Sequence, residues 1–95
     1  MNIEFSGKIW YWRGPSPFFF VTIPIKHSRE IKSISALVTY GWGVIPVHVR
    51  IGKTEFTTSL FPKDGKYLVP IKAIVRKAEK LSEGDKVTMQ LEIRL

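Results

Sequence analysis

The chain has 95 residues, a formal net charge of +7 and no cysteine. That length holds one small core, so residues 1–95 read as a single domain, and a disulfide framework, a thiolate metal site and a cysteine nucleophile are all excluded. The longest apolar run, Phe18 to Ile25, is broken by Thr22 and Pro24 and is far too short to span a bilayer. The first twenty residues carry charges, aromatics and prolines in place of a continuous apolar segment, so a cytoplasmic setting without membrane contact is expected. The positive charge favours anionic partners such as nucleic acid, nucleotides or acidic lipid surfaces, and equally keeps a small protein soluble.

In chain order, residues 2 to 12 alternate as a strand, with Ile3, Phe5, Gly7, Ile9 and Tyr11 on one face and Trp10 and Trp12 on the other. Gly7 marks a bend. Arg13-Gly14-Pro15-Ser16-Pro17 is a loop. Phe18 to Ile23 is a second strand, apolar on both faces apart from Thr22; such a strand is either covered on both sides or shows an aromatic face to a ligand, and burial is the preferred reading. A helix is predicted to start near His27 or Ser28, with Ser28 as N-cap and Ile31, Ile34 and Val38 as its buried stripe. Gly41-Trp42-Gly43 breaks it.

Val44 to Ile51 alternates with Ile45, Val47, Val49 and Ile51 inward, and Gly52-Lys53 suits a two-residue hairpin turn into a strand from Thr54 to Leu60. Phe61 to Lys66 reads as a turn region centred on Asp64-Gly65, followed by a short strand from Tyr67 to Val69 closed by Pro70. A second helix is predicted from Ile71 to about Lys80, with Ile71, Ile74, Val75, Ala78 and Leu81 on its apolar arc and Lys72, Arg76 and Lys80 opposite. Ser82 to Asp85 turns the chain into a last strand with Val87, Met89, Leu91 and Ile93 on one side.

The fold class that follows is mainly β: a small closed or split barrel of about six strands with two short helices. Ile23-Pro24-Ile25-Lys26 and Val69-Pro70-Ile71-Lys72 nearly coincide, which is consistent with an internal pseudo-twofold repeat carrying one helix per half. The stretch from Thr57 to Val87, which joins a strand to a helix and the helix to a closing strand, organises the rest.

Thr58-Ser59-Leu60-Phe61-Pro62, Tyr67-Leu68-Val69-Pro70-Ile71-Lys72, Val75-Arg76-Lys77-Ala78 and Gly84-Asp85-Lys86-Val87 resemble an uncharacterised bacterial family known only as a domain of unknown function. Its members are sometimes fused to a bacteriocin-protection, OmpD-associated type domain. Phe5-Ser6-Gly7-Lys8-Ile9-Trp10 and Phe20-Val21-Thr22-Ile23-Pro24 fit the same pattern, so the resemblance covers nearly the whole chain. It implies a small β-barrel with short helices and supplies no catalytic residue. More distantly, Val69-Pro70, Arg76 and Gly84-Asp85 resemble the swapped-hairpin barrels of the transition-state-regulator and MazE-antitoxin type, which close a barrel by dimerising. The segment between the proline and Gly84-Asp85 is longer here than in that pattern, so the likeness bears on architecture more than on DNA binding.

For function, Lys72, Arg76 and Lys80, with Lys77 beside them, form a basic stripe suited to phosphate contacts; the plainer account is a solvated helix face. Trp10, Trp12, Trp42, Tyr40 and Tyr67 could stack bases or simply fill core and rim. The tentative ligand-binding set is therefore Lys72, Arg76, Lys77, Lys80, Trp42 and Trp12. Gly52-Lys53-Thr54 matches only the tail of a phosphate-binding P-loop, whose earlier glycine would fall at Val47. His27 and His48 lack ligand-spaced partners and Ser59 lacks the context of an activated nucleophile; no metal, cofactor or enzymatic activity is expected. The expectation is a non-enzymatic domain that binds nucleic acid or a phosphorylated metabolite through a basic helix, as a monomer or homodimer, with a protein-interaction module as the alternative.

Overall fold

A computed structural model describes residues 1–38 and 44–93. Eight elements follow one another as β1 (Asn2–Trp12), β2 (Phe18–Thr22), α1 (Ile25–Val38), β3 (Ile45–Ile51), β4 (Thr54–Lys63), β5 (Lys66–Pro70), α2 (Ala73–Ala78) and β6 (Lys86–Glu92). The strands close a barrel in the order β1-β2-β5-β4-β3-β6, and every neighbouring pair is antiparallel. The fold is mainly β, a closed six-stranded barrel with two helices. It closes within one chain.

Two long strands make closure possible because each changes partner along its length. β1 pairs with β6 over Asn2–Lys8 and with β2 over Ile9–Trp12; β4 pairs with β3 up to Leu60 and with β5 from Phe61. Gly7 sits at the first of these bends. A Cβ there would lie 2.8 Å from Val21 Cγ1, so only glycine lets β1 turn this tightly over β2. The order strand–strand–helix–strand occurs twice, and exchanging β1 with β4, β2 with β5 and β3 with β6 leaves every strand's neighbours unchanged.

Alternation fills the interior. Ile45, Val47, Val49 and Ile51 from β3 and Val87, Met89 and Leu91 from β6, with Ile93 just beyond, are all buried in one core cluster with Ile3, Phe5, Ile9, Val21 and Val69. The hairpin turns fall at Gly52-Lys53 and Asp64-Gly65, where Gly52, Asp64 and Gly65 have φ of 58°, 51° and 79°, the positive values that two-residue turns require.

Four expectations are corrected. The first helix begins at Ile25, directly after Pro24, and Ser28 is not its N-cap: the Ser28 amide already donates to the Pro24 carbonyl (2.9 Å). Instead the buried Ser28 hydroxyl donates to the Ile23 carbonyl at 3.0 Å and accepts the Tyr67 amide at 3.1 Å, tying α1 to β2 and β5. Second, Phe61-Pro62-Lys63 continues β4 rather than turning. Beyond Leu60 this strand has left β3, so the missing N–H of Pro62 falls on an unpaired edge. Third, α2 spans only Ala73–Ala78. Lys80 takes a φ of 55°, the Leu81 amide donates to the Arg76 carbonyl (2.8 Å) and the Lys80 amide donates to the Lys77 carbonyl (3.4 Å), a Schellman closure with lysine in the left-handed position. Fourth, Ile74 is 75% exposed rather than buried, and Ala78 is exposed too, while Ile71 and Val75 are buried and Leu81 is half-buried against the core. In α1, Ile31 is buried and Ile34 packs on the core; the side chain of Val38, together with Tyr40 and the Gly41-Trp42-Gly43 break, lies outside the described residues.

Candidate functional site

The outward rows of β1, β2, β5 and β4 build an aromatic groove. On β2 the residues between the core-facing Phe19, Val21 and Ile23 are Phe18, Phe20 and Thr22, and they face away from the barrel interior. Register places Trp10 beside Phe20 and Trp12 beside Phe18 on β1, Pro70 beside Phe20 on β5, and Phe61 beside Leu68 on β4. Phe20 and Leu68 are buried, yet neither belongs to the core cluster; they form the floor of a groove of about 780 Å³ on the outside of the barrel.

Phe20 is the hub. Its ring centroid lies 5.5 Å from Trp10, 6.2 Å from Trp12 and 5.8 Å from Phe18, all tilted, the arrangement that ring quadrupoles favour. Trp10 is fixed by a hydrogen bond from its Nε1 to Thr22 Oγ1 (2.9 Å). Trp12 and Phe61 rise at the rim, 38% and 44% exposed. Trp12 packs against the β1–β2 loop so closely that a Cβ on Gly14 would lie 2.6 Å from its Cε2. From the other hairpin, Lys63 places its ammonium 5.7 Å from the Trp12 ring centroid while approaching Asp64 Oδ2 at 3.7 Å. Lys72, on the N-cap of α2, also lines the groove, as do Ser16, Thr58 and Ser59. No carboxylate is among the described residues that line it.

The residues singled out from the sequence are thus divided. Trp12 and Lys72 both line the groove. Arg76 is half-buried elsewhere: its Nη1 donates to the Ile71 carbonyl at 2.6 Å and its Cζ sits 3.9 Å from the Phe19 ring centroid. Phe19 stacks on Tyr11 at 4.7 Å, on the core-facing side of β2, so Arg76 closes that side of the packing. Lys77 and Lys80 are exposed and do not line the groove, and Lys80 lies beyond the helix end. Trp42 lies outside the described residues. Phe18, Phe20, Phe61, Lys63 and Leu68 are groove residues the sequence reading did not select; the two-sided apolar character of Phe18 to Ile23 was the available signal.

Two further polar contacts belong to the scaffold. Asp85 Oδ2 accepts the Ser82 amide (2.8 Å) and closes the turn before β6. Thr54 Oγ1 donates to Glu79 Oε2 (2.6 Å), linking the β3–β4 turn to the end of α2. Among the described residues no group of three or more His, Asp or Glu is placed to hold a metal ion, and no helix is long and apolar enough to cross a membrane.

A single chain that closes an antiparallel barrel, carries a helix in each half and bears a ligand-sized groove on its outer surface defines a small β-barrel domain. Residues 5–91 match the domain of unknown function DUF1905, and the chain belongs to that family. No curated protein matches the sequence.

Proposed function

We propose that the domain is a non-enzymatic, cytoplasmic binding module for an anionic ligand with a flat or apolar part, either nucleic acid or a phosphorylated metabolite. The observation that carries this reading is the groove itself: aromatic floor and rim, Lys63 and Lys72 in its lining, and no carboxylate among the described lining residues to repel an anion. The basic contribution comes from Lys72 with Lys63, and not from a continuous helical stripe. The test is a binding panel of short DNA and RNA strands and phosphorylated metabolites at two salt concentrations, repeated on Lys63→Glu with Lys72→Glu. Salt-sensitive binding that the double variant abolishes supports the reading. Failure of every anion to bind at low salt overturns it.

A second reading, a protein-interaction module including a homodimer, draws on Ile74, an isoleucine 75% exposed on α2. Sedimentation across a concentration range tests its homodimer form. A dimer that Ile74→Lys dissociates supports it; a monomer throughout removes it.

A further inference from the structure

We propose that the occupant of the groove is an unpaired stretch of nucleic acid, with a base stacking on the Trp12 face that Lys63 covers in the free domain. The inference rests on the anionic-ligand reading and narrows it.

Three observations point this way. First, the surface offers ring faces in place of a hydrogen-bonding code. Trp12 and Phe61 stand exposed above Phe20, while among the described residues that line the groove the hydroxyl-bearing ones are Ser16, Thr58 and Ser59. Every base has a π-face, so such a surface takes bases with little regard to sequence. Paired bases in a duplex keep their faces stacked on one another, and only an unpaired strand can present them.

Second, the cations suit spread charge. Lys63 and Lys72 are flexible point charges, and no arginine is among the described residues that line the groove, so none of these grips one phosphate bidentately. A small phosphorylated metabolite concentrates its charge on a group that needs several converging donors. A polyanion distributes it, and it also gains from the chain's +7 charge outside the groove through counterion release.

Third, Trp12 is held ready. The tight approach to Gly14 sets where the indole lies, and Lys63 reaches across from the opposite hairpin to sit over its ring. An exposed cation–π contact of this kind is weak, so a base can take the face. The displaced ammonium is then free to meet an adjoining phosphate. Lys63 acts first as a cover and then as a phosphate contact.

The experiment is fluorescence polarisation on the full chain with labelled ten-nucleotide oligo-dT and oligo-U and a labelled ten-base-pair duplex, together with direct tryptophan-fluorescence titrations with thymidine monophosphate and decaproline. The single strands are expected to bind at least tenfold more tightly than the duplex. Trp12→Ala should weaken them about tenfold, Trp12→Phe should restore most of the loss, and Lys63→Met should reduce the slope of log K against log salt by about 0.7. Thermal melts show that each variant is folded. Equal affinity for duplex, or a Trp12→Ala variant that binds as well as the parent, overturns the inference and leaves only general attraction to a basic surface. Capture of thymidine monophosphate without single-strand binding overturns it while the anionic-ligand reading stands. Binding of decaproline alone overturns both and favours a peptide groove.

Discussion

Exchanging the two halves of the barrel carries two of its strand seams onto themselves, and these two seams differ on the outside. At one, β3 runs beside β6; at the other, β2 runs beside β5. Inside, each carries a buried aliphatic pair, Val49 beside Leu91 in one and Val21 beside Val69 in the other. Outside, the β3–β6 seam carries His48, Arg50 and Gln90, each in a polar contact: Gln90 Nε2 donates to Glu4 Oε1 (2.7 Å), Arg50 Nε to Gln90 Oε1 (3.4 Å), and His48 Nε2 lies 3.4 Å from Glu55 Oε1. The β2–β5 seam carries Phe20, Leu68 and Pro70. Exposed polar pairs of the first kind contribute little to stability. The second seam holds large apolar side chains where solvation would normally favour polar ones, so the inward rows explain the fold and the outward row of β2 and β5 marks the candidate site.

That contrast is broken most directly by Phe20→Ala. Phe20 lies outside the core cluster but is buried among three other rings, those of Trp10, Trp12 and Phe18, and its truncation is expected to cost about 3 kcal/mol in urea denaturation. Gln90→Ala, on the other seam, should stay within about 0.5 kcal/mol. Similar losses at the two positions would mean that the seams are energetically equivalent and that the aromatic cluster is loosely packed.

Ser28→Ala tests how the helix is fastened behind the aromatic seam. The variant leaves the buried Tyr67 amide without its acceptor and removes the bond to the Ile23 carbonyl, so a loss of about 2 kcal/mol is expected. Faster hydrogen exchange at the Tyr67 amide would locate the effect. An unchanged melting curve would show that the hydroxyl is not what anchors α1 to β5.

Arg76 and Lys72 sharpen the separation between scaffold and groove. Arg76→Met removes a charge-assisted bond to the Ile71 carbonyl and the cation over Phe19; allowing for its partial exposure, the expected loss of stability is about 1–2 kcal/mol. The salt slope of ligand binding should not move. Lys72→Met should do the reverse, weakening ligand binding and flattening its salt dependence while stability holds. If Arg76→Met flattened the slope instead, the ligand would lie along α2 rather than in the groove.

How much of this was legible in the sequence depends on whether the signal was local. The rows of β1, β3 and β6 were readable because strict alternation has one burial solution: Ile45, Val47, Val49 and Ile51 must share a face. The groove was not readable because it needs register between strands far apart in sequence. Nothing near Phe61 shows that it shares a groove with Trp12 and Phe18. Pro62 hid the continuation of β4, since proline ordinarily argues against a strand and only the departure of β3 beyond Leu60 makes it tolerable. Arg76 looked free because helical spacing set it beside Lys72 and Lys80, whereas tertiary packing placed its guanidinium against Phe19.

The smallest predicted effect concerns the end of α2, and it separates backbone from charge at a basic position. Helical spacing through Lys80 suggested a third lysine in a stripe because no glycine announced the helix end. The chain nevertheless stops with Lys80 at a φ of 55° and the Leu81 amide on the Arg76 carbonyl. A non-glycine residue in this region costs roughly 1–2 kcal/mol, while glycine loses roughly 0.5–1 kcal/mol more backbone entropy on folding. Lys80→Gly should therefore stabilise the domain by about 0.5–1 kcal/mol, which is a rise of a few degrees in Tm for a domain of this size. Lys80→Ala removes the same charge and keeps the strained φ, so it should give no such gain. If both variants raised Tm equally, relief of repulsion among the lysines would be the cause, and the basic residues of α2 would have to be treated as one electrostatic unit.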